Sequence, residues 1–250
     1  MKIAIMSDIH GNIDALNAVI DDIEKEGCEK ILILGDLAMA GPEPEETINL
    51  LKTLIKEKDI TIIQGNTDEM IVKYPDDQST YMLDTIMIEA LKYSQKVISN
   101  ENKEFLADLP PYKYLQIGKT KILMVHGSPR KNDESILPGQ PIESIAPMIK
   151  NIDADLIFCG HTHLPAGYQI KNMTIVNDGS VGRTFTGDPK ACYVILDIPD
   201  LNKNEFAIEH RFISYDFKKS FEKLKQLPFK GADKLANALI NATFRHPDEL

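Results

Sequence analysis

The 250-residue sequence predicts an α/β fold, a βα half followed by a β-rich half. Two patterns carry this reading. The N-terminal part alternates short apolar runs with segments whose apolar residues recur at helical spacing. After Lys113 the pattern changes to strand after strand with short connections. A third observation concerns chemistry: five of the apolar runs end directly in residues that can ligate metals.

Lys2 to Met6 reads as a buried strand, and Ala15, Leu16, Val19, Ile20 and Ile23 follow at helical spacing until Gly27 stops the helix. Ile31 to Leu34 is a second strand. Pro42 and Pro44 lead into a helix with Ile48, Leu51, Leu54 and Ile55 on one face, and Ile60 to Ile63 is a third strand. This βαβαβ order predicts a largely parallel sheet with covering helices. Residues 79–98 read as a long amphipathic helix in which Met82 and Met87 fill core, and a shorter helix ends at Pro110–Pro111. Tyr114 to Ile117 and Ile122 to Val125 flank the turn Gly118–Lys119–Thr120, a hairpin signal. Further strands are expected at Leu156 to Cys159, Gly167 to Ile170, Thr174 to Val176, Cys192 to Ile198 and Phe206 to Ile213. Lys218 to Asn241 reads as one or two closing helices, interrupted near Pro228 and Gly231. The acidic pair Asp76–Asp77 reads as loop. No repeat or linker interrupts the pattern, so one domain over 1–250 is expected, with two sheets facing each other.

Composition narrows the function. Apolar residues make up 43% and charged residues 26% of the chain, ordinary globular usage that excludes a disordered or collagen-like chain. The longest apolar runs are too short to cross a bilayer, and the N-terminus lacks a signal-peptide pattern. Three scattered cysteines, Cys28, Cys159 and Cys192, give neither a disulfide framework nor a zinc knuckle, so a cytoplasmic home is expected. A net charge of −10 without a basic cluster argues against long nucleic acids as partners. Positive charge that holds a phosphate compound must therefore be local.

The polar run ends supply it. Lys2–Met6 leads into Ser7-Asp8-Ile9-His10-Gly11-Asn12, and Ile31–Leu34 into Gly35-Asp36. Ile60–Ile63 leads through Gln64 into Gly65-Asn66-Thr67-Asp68, where Gly65-Asn66 taken alone is a natural turn pair. Ile122–Val125 leads into His126-Gly127-Ser128, and Leu156–Cys159 into Gly160-His161-Thr162-His163. Ligands of α/β sheets bind at the carboxyl ends of strands, and four of the six histidines sit there. Any one cluster could be a cap or a turn. Five unrelated turns would have no reason to supply carboxylates, an amide and four imidazoles in matching places.

The order Asp-x-His, Gly-Asp, Gly-Asn, His, Gly-His-x-His resembles the calcineurin-like metallophosphoesterases, in particular the small bacterial and archaeal phosphodiesterase-like branch. Asn177 to Arg183 and Gly187-Asp188-Pro189 resemble that branch's late loop. The resemblance implies a four-layer α/β/β/α sandwich with two divalent metals. Asp8, His10, Asp36 and His163 would hold one, and Asp36, Asn66, His126 and His161 the other, with Asp36 bridging. Imidazole, carboxylate and amide donors without thiolate suit Mn, Fe, Zn or Ni. The implied reaction is hydrolysis of a small phosphodiester or phosphomonoester of nucleotide type by a metal-bridging hydroxide, with Asp36, Asn66 and His10 at the reacting centre. Many superfamily members carry His directly after the Asn ligand; here that position is Thr67, which cannot serve as a general acid near neutral pH, so His10, a metal-bound water or the substrate itself would have to protonate a poor leaving group. Asp68 is expected to shape the loop or to support a ligand. Asn12, Arg130, Lys131 and Arg183 are candidates for substrate binding. No membrane partner is expected, and a homo-oligomer is compatible with the sequence. Two other readings share the scaffold. One is a non-catalytic metal-binding protein-interaction module, as in the superfamily's retromer subunit; the other is a protein phosphatase or nuclease.

Overall fold

The computed structural model describes residues 1–73 and 84–244. The first βαβαβ segment runs β1 (Lys2–Met6), α1 (Ile13–Lys25), β2 (Lys30–Ile33), α2 (Pro44–Glu57) and β3 (Ile60–Ile62). Helix α1 begins where the Asn12 side chain accepts a hydrogen bond from the Ala15 N–H at 3.2 Å, and it buries Ala15, Leu16, Val19, Ile20 and Ile23. Gly27, at φ +69°, ends it in a left-handed conformation that costs glycine little. Helix α2 starts with Pro44 in its first turn, where a missing N–H leaves no bond unmade.

Helices α3 (Asn66–Lys73), α4 (Thr85–Val97) and α5 (Asn100–Ala107) follow. The Gly65-Asn66 pair, which alone reads as a turn, instead leads into α3, which opens at Asn66. Of the helix expected over 79–98, residues 79–83 lie outside the described residues, as do Met82 and the Asp76–Asp77 loop. Asp84 caps α4 by accepting from the Ile86 and Met87 N–H groups.

The β-rich half comprises β4 (Tyr112–Ile117), β5 (Thr120–Val125), β6 (Leu156–Cys159), β7 (Ala166–Ile170), β8 (Met173–Asn177), β9 (Ala191–Asp197) and β10 (Ala207–Ile213). A one-turn helix, α6 (Ile142–Ile145), lies between β5 and β6. Two helices, α7 (Phe217–Lys225) and α8 (Ala232–Asn241), follow β10.

The chain forms two mixed five-stranded sheets, ordered β10-β9-β1-β2-β3 and β4-β5-β6-β8-β7. The first is less parallel than the βαβαβ pattern predicts. Strands β1, β2 and β3 are parallel, but β9 pairs antiparallel with β1 and β10 antiparallel with β9. The late strands thus return to the N-terminal sheet. Ile3, Ile5, Leu32 and Leu34 meet Ile122, Met124, Leu156, Phe158 and Val176 between the sheets. Helices α1, α2, α4, α7 and α8 cover the other face of the first sheet through Leu16, Leu51, Leu91, Leu224 and Leu235. The second sheet's outer face is covered more thinly, by Ile136, Ile145, Met148 and Ile149. Each fully buried aliphatic side chain in these layers contributes about 1.5–3 kcal/mol relative to exposure. The layers leave the C-terminal ends of β1, β2, β3, β5 and β6 converging along one edge.

Candidate metal centre

The residues at those strand ends adopt an unusual backbone. Asp8, His10, Asp36, His161 and His163 all have φ between +47° and +68°. For residues with a Cβ this region costs on the order of 1–3 kcal/mol each and persists only where the surroundings impose it. The surroundings here are backbone cross-links. Asp8 N–H donates to the Gly35 carbonyl, His10 N–H to Asp36, and Gly160 N–H to His126. The loops are therefore tied to one another before any ligand is considered. The close approach requires glycine at Gly160, where a Cβ would collide with the side chains of Ser7 and Asp8.

The polar side chains then meet. His10 Nε2 lies 3.1 Å from His163 Nε2, 3.7 Å from Asp8 Oδ1 and 3.7 Å from Asp36 Oδ2, and His163 Nε2 lies 3.2 Å from Asp8 Oδ1. A second group forms around Asn66 Oδ1, which is 2.9 Å from His126 Nε2 and 3.0 Å from His161 Nδ1; His126 Nε2 is 3.3 Å from Asp36 Oδ1. Ligands about 2.0–2.2 Å from one ion stand about 3 Å apart, the spacing observed. Two subsets, Asp8–His10–His163 and Asp8–Asp36–His126, have their ligand atoms within 4.8 Å of one another. Asp36 faces the two groups with different oxygens.

Hydrogen bonding selects which nitrogens face inward. The Nδ1 atoms of His10, His126 and His163 each bond a backbone carbonyl, of Met39, Leu34 and Arg183 respectively. A carbonyl only accepts, so Nδ1 carries the proton and Nε2 is the inward-facing ligand atom. His161 presents Nδ1 instead. Asp8 Oδ2 is saturated by the Ser7 hydroxyl at 2.5 Å and the His161 N–H at 2.9 Å, whereas Oδ1 is buried with no hydrogen-bond partner. An orphaned carboxylate oxygen facing two imidazole nitrogens fits a cation.

Charge follows the same logic. Burial alone would push the Asp8 carboxyl up, but the imidazoles beside it, His163 foremost, hold it well below the usual carboxylate range. Burial opposes ionisation of Asp36 too, yet the adjacent His126 brings it down to about 2. His126, against its own burial, is lifted to about 10 by Asp36. Burial pushes His161 and His163 down, which favours the neutral, ligating form.

Two residues act behind these groups. Asp68 accepts from the N–H groups of Asp36 at 2.8 Å, Leu37 at 2.9 Å and Gly65 at 2.9 Å, and so binds the β2 loop to the β3 loop. Burial and the Asp36 carboxylate raise its pKa to about 7. Asn177 donates to the Gly160 carbonyl at 2.6 Å and to the Thr162 hydroxyl at 3.0 Å, which fixes the His161–His163 loop.

Above the cluster lies a cavity of about 250 Å³ lined by His10, Asp36, Asn66, Thr67, Asp84, Met87, His161, His163, Arg183, Phe185 and Phe244. Of the substrate-binding candidates, Arg183 is in this wall, with its guanidinium 5.5 Å from the centroid of the Phe185 ring. Asn12 is not. Its side chain is wholly buried, donates to the Gly182 carbonyl and to Tyr215 Oη, and accepts from the Ala15 N–H and the Ser220 hydroxyl. Arg130 pairs with Glu134 and, with Lys131, borders a separate hollow. Met87, expected as core, packs against core and also lines the cavity. Sequence reasoning did not single out Asp84, Phe185 or Phe244. Phe185 stacks on His163 with centroids 4.4 Å apart, and Phe244 meets Phe185 edge-on at 5.5 Å.

Comparison with known proteins bears on this arrangement. The model of the calcineurin-like phosphoesterase superfamily domain matches residues 1–201. The uncharacterized protein MJ0912 of Methanocaldococcus jannaschii is 32% identical over 239 residues, covering 89% of this chain and 91% of the relative. Phosphodiesterase YfcE of Escherichia coli K12 is 26% identical over 209 residues, covering 79% and 88%. The crystal structure of a metallophosphoesterase from Sphaerobacter thermophilus superposes with a TM-score of 0.73 at 26% identity, covering 97% of this chain and 99% of that one.

Proposed function

The chain belongs to the calcineurin-like phosphoesterase superfamily and is a metal-dependent phosphoester hydrolase, and from that premise we propose that it hydrolyses small phosphodiesters or phosphomonoesters with two divalent ions. Asp8, His10, Asp36 and His163 would hold one ion, and Asp36, Asn66, His126 and His161 the other. The observation that carries this reading is the division of donors about Asp36, whose Oδ2 is 3.7 Å from His10 Nε2 and whose Oδ1 is 3.3 Å from His126 Nε2. Such a pair of ions supplies Lewis acidity and water of lowered pKa.

The protein's own groups have distinct tasks. Asp8 and Asp36, both held ionised, provide the negative charge that retains cations in a buried site. The carbonyl bonds to Nδ1 hold three imidazole rings in one rotation with Nε2 facing inward, so no ring has to turn when a ligand arrives. Arg183 attracts a phosphoryl oxygen into a molecule whose net charge is −10. Asn66 and His10 lie in the cavity wall beside Asp36, where a phosphoryl group can be clamped. A cavity of about 250 Å³ is at the small end of ligand sites and suits a phosphoryl group with one short arm.

The test is turnover by protein reconstituted with Mn, Fe, Zn or Ni on an aryl phosphodiester and a panel of monoesters. Reversible loss on chelation and loss of at least about a thousandfold in Asp36→Asn are expected. A reconstituted protein inert on every phosphate compound refutes the reading.

A further inference from the structure

The carboxyl of Asp178 has no part in the proposed ligand set, yet it is wholly buried just past the end of β8 and one hydroxyl away from a ligand. Ser7 Oγ lies 2.5 Å from Asp8 Oδ2 and 2.7 Å from Asp178 Oδ1. Both separations are hydrogen-bond lengths for a pair of oxygens. Two such bonds need two protons, and the serine hydroxyl supplies one. The other sits on one of the two carboxyls. We propose that it sits on Asp178: a neutral Asp178 donates to Ser7, Ser7 in turn donates to Asp8 Oδ2, and Asp8 Oδ1 is left as the oxygen that meets a cation. The inference rests on the reading of Asp8 as a metal ligand and adds Asp178 as a residue that positions it.

The surroundings of the two carboxyls decide between them. Asp8 Oδ2 accepts the His161 N–H at 2.9 Å besides the Ser7 hydroxyl, and Asp8 Oδ1 faces His163 Nε2 at 3.2 Å and His10 Nε2 at 3.7 Å. These neighbours suit a carboxylate. Asp178 is placed differently: Oδ1 meets Ser7, and Oδ2 is buried with no hydrogen-bond partner among the described residues. An ionised carboxyl there would strand a charged oxygen, whereas a neutral acid strands only a carbonyl oxygen and spends its proton on Ser7. Burial, and after it the charge of Asp8, push Asp178 well above the usual carboxylate range, in keeping with the contacts. The chain is anchored around this relay. Asp178 N–H donates to the Cys159 carbonyl at 3.0 Å, which ties the residue to the end of β6. Gly160 packs so closely on Ser7 Oγ that a Cβ would collide with it, so the hydroxyl has little room to turn away.

Infrared spectroscopy of the metal-free protein near neutral pH tests the protonation directly. The difference between wild type and Asp178→Asn should contain the carbonyl stretch of a protonated carboxyl, present in wild type and missing from the variant. Subtraction removes the contribution of Asp68, whose pKa is about 7. A difference spectrum with only the bands of an ionised carboxylate overturns the inference. Calorimetry with manganese gives the second readout. Asp178→Asn retains a neutral group that donates to Ser7 and should bind manganese as wild type does. Asp178→Ala removes the donor and Ser7→Ala the hydroxyl, and each should weaken binding about tenfold. Because Asp178 acts through Ser7, Asp178→Ala should cost nothing further in the Ser7→Ala background. A loss of about tenfold in Asp178→Asn, which a charged carboxylate would give, overturns the inference, and so do additive losses in the double variant, which a general support of the loop would give. Circular dichroism checks the folding of each variant, and the infrared comparison decides the matter without the alanine variants if these do not fold. Wild-type protein that takes up no manganese overturns the two-ion reading, and the infrared comparison still decides the state of Asp178.

Discussion

Metal uptake by this protein should expel a proton, and His126 is its source. In the metal-free chain His126 Nδ1 donates to the Leu34 carbonyl, and Nε2 faces Asn66 Oδ1 and Asp36 Oδ1, so both nitrogens point at acceptors. Such a ring is an imidazolium, and the Asp36 carboxylate lifts its pKa to about 10. A group that titrates there is protonated about a thousandfold over at pH 7, and displacing that proton costs about 4 kcal/mol of binding free energy. His161 and His163, pushed down by burial, are already neutral and contribute no proton. Titrating manganese into metal-free protein in buffers of differing ionisation enthalpy should therefore show release of about one proton per chain at pH 7.5. Apparent affinity should rise about tenfold per pH unit from 6.5 to 9. Heats independent of the buffer, or affinity flat across that range, would refute the assignment of an imidazolium to His126.

Three further outcomes follow from the same geometry. Since the His126 pKa is raised on folding, its contribution to the stability of the metal-free protein is complete below about pH 6.5 and disappears as pH climbs through about 10; the metal-free melting temperature should fall over that window, the metal-loaded one should hold, and parallel curves would contradict this. Asp68→Ala strands the N–H groups of Asp36, Leu37 and Gly65 and should lower stability by about 3 kcal/mol or more, read by urea unfolding, with a matching loss of metal affinity; a loss below about 1 kcal/mol would show that the three bonds are dispensable. Gly160→Ala forces a Cβ into Ser7 and Asp8 and should weaken metal binding at least about tenfold in calorimetry, whereas wild-type affinity would mean the loop yields at little cost.

Much of this molecule is legible in its sequence because the relevant signals are local. An apolar run followed by Gly-Asp or Gly-His-x-His states both the strand and its polar end within six residues, and the structure brings all seven candidate ligands to one edge. Partition between sheets is not local. Ala191–Asp197 is as apolar as any strand, yet nothing in it declares that it will pair with β1 and not with β8. Gly65-Asn66 has the composition of a turn, yet a helix starts there, with Asp68 accepting from the Gly65 N–H three residues back and from Asp36 and Leu37 of the β2 loop. Asn12 and Arg130 look like rim residues because polarity is visible in sequence and its partners are not; Ser220 and Glu134 lie far along the chain or across a loop. The aromatic wall escaped notice because Phe185 and Phe244 meet only after the chain has closed on itself through α8.

The central claim is that Asp36 joins two ions held by side chains from five strand ends. Elemental analysis of protein saturated with manganese and freed of excess by gel filtration tests it directly. Wild type should carry two ions per chain and Asp36→Asn at most one. A wild-type chain that retains one ion or none at saturation, or an Asp36→Asn chain that still retains two, would contradict the claim.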